Sequence, residues 1–90
     1  MSDLFWTVLF SKKAEKEFFK LDFGTQKKIR EFVEKLTHLQ NPRSLGHQLR
    51  GDLSGYWRFR VGSYRLITEI VDDRLIIQVI RVGHRREIYA

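Results

Sequence analysis

Residues 56–82 read YWRFRVGSYRLITEIVDDRLIIQVIRV, and this stretch decides the fold. From Tyr56 to Val61 bulky apolar residues alternate with arginine. Successive side chains of an extended chain point to opposite faces, so Trp57, Phe59 and Val61 fall on one side and Arg58 and Arg60 on the other. Gly62-Ser63 is a turn pair. Tyr64–Val71 reads as a second strand, Asp72-Asp73 as a second turn and Leu75–Val82 as a third strand. The last two runs are apolar at nearly every position, as strands covered on both sides are. The face taken by each residue therefore stays open there, because a one-residue slip inverts the whole set.

Working outward, Trp6–Phe10 is β-prone and reads as a strand. Ser11 is a helix cap, its hydroxyl suited to a free backbone N–H. Ala14, Phe18 and Leu21 then recur at helical spacing. Asp22-Phe23-Gly24-Thr25 breaks this short helix, and either Asp22 or Thr25 can cap the next one. Ile29, Phe32, Val33, Leu36 and Leu39 or Gln40 form the apolar face of a second helix, with Glu31 and Lys35 a favourably ordered i,i+4 pair. Asn41-Pro42 ends it, since the residue before proline is pushed out of helical geometry. Residues 43–55, punctuated by Gly46, Gly51 and Gly55, read as a connection, with Leu45, Leu49 and Leu53 turned to the core. The expected order is β-α-α-β-β-β: an α+β fold in which a helical hairpin packs on one face of a mostly antiparallel sheet. The other face is left to Arg58, Arg60 and Arg65. Ninety residues without an internal repeat or linker make one domain, 1–90.

Charge is unevenly placed. Seventeen Lys and Arg oppose eleven Asp and Glu, a net +6. All seven lysines lie at or before Lys35, and the nine basic residues after it are all arginine. Lysine is a hydrated point charge, whereas arginine presents a planar fork that fits phosphate in a bidentate way. Nucleic acid is the favoured partner and an anionic protein the next. No cysteine is present, so disulfides and thiolate metal sites are excluded. That composition suits a reducing cytoplasm, the expected location. The opening residues lack a basic region followed by an apolar run, so no signal peptide is expected. No stretch approaches a membrane span, and no membrane partner is expected. Asp72 and Asp73 are adjacent in a turn and Glu69 has no companion at ligand spacing, so neither metal nor other cofactor is expected.

The segments Leu49-Arg50-Gly51, Trp57–Leu66 and Val82-Gly83-His84-Arg85-Arg86-Glu87-Ile88-Tyr89, met in this order behind Asn41-Pro42, resemble the RelE branch of the RelE/ParE toxins of bacterial type II toxin–antitoxin pairs. The resemblance covers nearly the whole chain. It implies an endoribonuclease, an mRNA interferase that enters the ribosomal A site and cuts messenger RNA without a metal, inhibiting translation. In that chemistry the 2′-hydroxyl attacks the adjacent phosphorus, the 5′-oxygen leaves and a 2′,3′-cyclic phosphate forms. The reaction needs a proton acceptor, a clamp for the charge growing on phosphorus and a proton donor to the leaving oxygen.

Arg65 and Arg85 match the family's arginines on the scissile phosphate. Tyr89 matches its C-terminal tyrosine, which orients or shuttles a proton at the 2′-hydroxyl. The best-known pattern has lysines on the first long strand, one of them the supposed base, where this chain has Tyr56 and Arg58. A guanidinium stays protonated near neutrality and is a poor base, so Arg58 becomes a phosphate clamp. His84 is the substitute base, an imidazole being able to accept a proton near neutral pH. Arg60 and Arg50 extend the phosphate-binding set, and Tyr56 offers a ring for base stacking. His38 reads as merely exposed on the helix, and His47 as a loop histidine within reach of RNA. A cognate antitoxin is the implied protein partner, with any DNA binding made only through it. Two other classes fit the same scaffold: a ParE-like inhibitor of DNA gyrase, which lacks the catalytic tail residues, and a non-catalytic RNA-binding module.

Overall fold

The structure is a computed structural model that describes residues 5–84. Strand β1 (Thr7–Phe10) leads into helix α1 (Lys12–Phe19) and helix α2 (Phe23–Thr37). A 3₁₀ turn (Pro42–Leu45), a two-residue strand β2 (His47–Gln48) and a second 3₁₀ turn (Gly51–Leu53) come next. Strands β3 (Trp57–Val61), β4 (Tyr64–Val71) and β5 (Ile76–His84) complete the described chain. The sheet order is β1-β5-β4-β3-β2. All neighbours are antiparallel except β1 and β5, which are parallel.

Helix starts follow from their caps. Ser11 Oγ accepts from Ala14 N–H at 3.1 Å. Asp22 takes both the N–H of Thr25, at 3.1 Å, and its hydroxyl, at 2.7 Å, which decides between the two candidate caps. The close packing of the hairpin depends on Gln26, which is buried. Its amide donates to the carbonyl of Leu21 in the turn at 2.9 Å and, at 3.5 Å, to that of Phe19 at the end of α1. Helix α2 stops at Thr37, four residues before Asn41, because the chain entering β1 takes over: Phe5 and Trp6 N–H both donate to Thr37 O.

The core lies between the helices and one sheet face. Ala14, Phe18, Ile29 and Leu36 meet Phe59, Leu66, Ile77, Val79 and Val82, all of them buried. The ladder Phe59↔Leu66↔Val82 fixes which side each strand turns inward. Between Ile67 and Thr68 the register shifts, so Ile67 faces Arg81 while Thr68 faces Val79. Ile80 is the extra residue of this bulge. It lets Val79 and Val82, three apart, share the core, which strict alternation forbids.

Three expectations need correction. Residues 43–55 are more than a connection, because His47–Gln48 pairs with β3 and makes a fifth strand. Two residues between Gly46 and Leu49 have no period to read, and only the exposed edge of β3 defines them. Leu49 is buried and Leu53 half-buried, but Leu45 is 37% exposed and does not reach the core. Strand β5 runs from Ile76 to His84, not from Leu75 to Val82, since Leu75 sits in left-handed geometry at φ 53° and closes the preceding turn.

Candidate nucleic-acid interface

The alternation of β3 puts Trp57, Phe59 and Val61 under the helices and leaves Arg58 and Arg60 on the opposite face. Register then brings the β4 arginine to them: Arg60 and Arg65 are direct cross-strand partners, and Ile67 faces Arg58. Arg58, Arg60 and Arg65 therefore share the face turned away from the helices. Arg65 is only 8% exposed. Arg58 is half-buried, and its Nε is buried without a hydrogen-bond acceptor among the described residues. A third strand joins this face through β2, where His47 stands directly opposite Arg58.

His84 takes a different position. It pairs with Tyr64, and the two rings meet edge to face with centroids 5.5 Å apart. Its strand neighbour Gly83 pairs with Arg65. By alternation His84 and Arg65 stand on opposite faces of the sheet, at its end. Tyr56, half-buried, lies one position before β3, and its carbonyl accepts from Leu49 N–H at 3.0 Å. Arg50 is exposed in the loop after β2 and lines a cleft with His47, Gln48, Leu49, Gly51 and Ser54. Arg85 and Tyr89 lie outside the described residues.

The other arginines of the C-terminal half are not equivalent to these. Arg43 grips Asp72 with both nitrogens at 2.8 Å and lies over the Trp57 ring at 5.4 Å. That hydrogen bonding holds the Asp72 carboxyl below the ordinary carboxylate value. Arg81 donates through Nε to Glu17 at 2.9 Å. Among the described residues no three His, Asp or Glu side chains gather as a ligating group, and no helix is long and apolar enough to cross a membrane.

The sequence signal for Arg58 and Arg60 was the alternation itself, and for Arg65 its place just after the turn. What sequence reasoning undervalued is His47. Its membership of the arginine face depends on β2, and the only clue was its position ahead of the Leu49-Arg50-Gly51 segment.

Comparison with known proteins gives this arrangement a context. Residues 8–89 match the family described as ParE toxin of type II toxin–antitoxin system, parDE. The chain is 30% identical over 84 residues to the mRNA interferase toxin RelE of Escherichia coli (strain K12), covering 90% of this chain and 86% of that relative. It is 38% identical over 50 residues to Toxin RelG of Mycobacterium tuberculosis, a match spanning 56% of this chain and 58% of that relative. Among solved structures it is similar to a chain of the toxin–antitoxin complex RelBE2 from Mycobacterium tuberculosis, with TM-score 0.81 and 32% identity over 89% of this chain and 98% of that one. It is similar too to a chain of the RelB–RelE antitoxin–toxin complex from Methanococcus jannaschii, with TM-score 0.70 and 29% identity over 89% and 93%. With its helical hairpin on one face of a five-stranded sheet and its arginines on the other, this chain belongs to the ParE toxin family of type II toxin–antitoxin systems, as a RelE-like member.

Proposed function

We propose that this toxin is an mRNA interferase, a metal-independent endoribonuclease that cuts messenger RNA in the ribosomal A site and is held inactive by a cognate antitoxin. The observation that carries this reading is the Arg60↔Arg65 pair beside Arg58. A sheet face that gathers three guanidinium groups offers planar forks to successive phosphates of a polyanion. Relatives named mRNA interferases support the RNA substrate, and similar chains in toxin–antitoxin complexes support the antitoxin.

In this reading the scissile phosphate lies at the end of the sheet, where β5 finishes, against Arg65. The 2′-oxygen forms a bond to phosphorus as its proton passes to a base, and the bond from phosphorus to the 5′-oxygen breaks as that oxygen takes a proton. The products are a 2′,3′-cyclic phosphate and a 5′-hydroxyl end. Arg65 and Arg85 hold the phosphorane, whose added charge strengthens each guanidinium contact in the transition state. Arg58 and Arg60 hold the flanking phosphates. His84 accepts the 2′-hydroxyl proton at the sheet end, and Tyr89 orients that hydroxyl. Removing one such clamp costs on the order of 10²–10³ in turnover. Arg65→Ala is therefore expected to lower cleavage of ribosome-bound messenger by about that factor, read by mapping 5′ ends and the cyclic phosphate. A folded Arg65→Ala protein that cuts at the parent rate would remove the assignment.

A further inference from the structure

We propose that β2 and the loop that follows it, from His47 to Ser54, form a second RNA site that takes one unpaired ribonucleotide next to the arginine face, with its phosphate on Arg50 and its base against His47. The proposal deepens the ribonuclease reading and rests on it for the choice of RNA as ligand. Three observations converge. The loop encloses an open cleft of about 490 Å³ lined by His47, Gln48, Leu49, Arg50, Gly51 and Ser54, a volume within the range of small-ligand sites. Its lining is a cation, an imidazole, an amide and a hydroxyl around the buried Leu49, with no carboxylate among the six. The cleft also adjoins the arginine face, because His47 is the cross-strand partner of Arg58.

Each feature suits a nucleotide. An imidazole ring stacks on a base without regard to sequence. The Ser54 hydroxyl supplies both a donor and an acceptor for a base edge. Arg50 adds a charged fork for phosphate. Gly51 at φ +68° lets the chain turn there, geometry that a side chain disfavours. Strand β2 is the outer strand on the β3 side of the sheet, so a single RNA strand lying over Arg65, Arg60 and Arg58 leaves the protein across His47. Another cleft, about 520 Å³ between β1, α1 and α2, is mainly apolar, and its one cation, Arg30, stands among two carboxylates, Glu15 and Glu34, which disfavour a phosphate there.

The nucleotide comes from the messenger or from ribosomal RNA, and the test separates the two. His47→Ala and Gln48→Ala are made in the full chain, and cleavage is followed on ribosomes in which the messenger, and in a parallel preparation the ribosomal RNA, carries photoreactive uridines. His47→Ala is expected to raise the half-saturating ribosome concentration by about 5- to 20-fold, on the scale of one stacked base, to affect the saturated rate by a smaller factor, and to redistribute the cut positions. Crosslinks from residues 47–54 to messenger assign that source, and crosslinks to ribosomal RNA assign the other; either supports the site. Unchanged half-saturation and cut positions in both variants, without crosslinks to the loop, overturn it. Backbone amide shifts of residues 47–54 on adding a short single-stranded RNA support the site even if the parent protein cuts nothing, in which case the ribonuclease reading alone fails. Shifts induced by an acidic peptide and not by RNA overturn it.

Discussion

A Cβ added at residue 46 would stand 2.9 Å from Cε1 of Phe59 and 3.2 Å from the carbonyl oxygen of Arg58. Phe59 is fully buried in the core and cannot swing aside. Gly46 thus does more than punctuate a loop: it lets β2 close against β3. Gly46→Ala is expected to destabilise the fold by roughly 1–3 kcal/mol, as overpacking of a close-packed core does, measured by urea unfolding. An unchanged midpoint would mean that β2 is not seated on β3. Asp72 is held by Arg43 below its ordinary value of 3.8. A carboxylate with a depressed folded-state pKa adds stability above the unfolded value and loses it as pH falls through the folded one. Asp72→Asn should therefore lower the melting temperature slightly at neutral pH, and the gap to the parent should close as pH drops below 3.8. A gap that persists in acid would assign the effect to something other than this pair.

At the scale of elements, the register of β5 shows what the sequence carried and what it did not. The alternation in β3, the Ser11 and Asp22 caps and the apolar stripe of α2 are local, and each was readable before any contact was known. The faces of β4 and β5 were not, because both strands carry apolar residues on both faces and the bulge at Ile80 obeys no sequence period. The edge of β5 was hidden for a different reason. Beyond the pairing with β1, Ser11 N–H donates to Val79 O at 2.9 Å. Glu17 of α1 then takes Val82 N–H at 2.8 Å and Arg81 Nε at 2.9 Å. One carboxylate does what a strand would have done, 65 residues away in sequence. Glu17→Ala leaves the buried Val82 with an unpaired N–H and is expected to cost about 1.5–3 kcal/mol, the range for hydrogen bonds to charged groups. Glu17→Gln keeps an acceptor and should cost less. Hydrogen exchange at Val82 checks both, and equal protection in parent and Ala variant would show the contact to be idle.

Across the whole molecule the two sides of the sheet divide the labour. The helices seal one side, and their exposed lysines keep it hydrated. The other side gathers Arg58, Arg60 and Arg65 on one face. Of the tail residues inferred from resemblance, only His84 falls within the described chain, and it stands with Tyr64 and not with Arg65. The arginine face is thus legible from β3 and β4, while the proposed proton chemistry rests on resemblance. Salt dependence separates the two sides experimentally. Each phosphate neutralised on a single strand contributes about −0.7 to the slope of log affinity against log salt. Replacing Arg60 with Ala should flatten the slope for a short single-stranded RNA by about that amount. Lys27→Ala and Lys28→Ala, on the exposed surface of α2, should leave the slope as it was. If the lysine variants flatten it and Arg60→Ala does not, RNA lies across the helices and not over the sheet arginines.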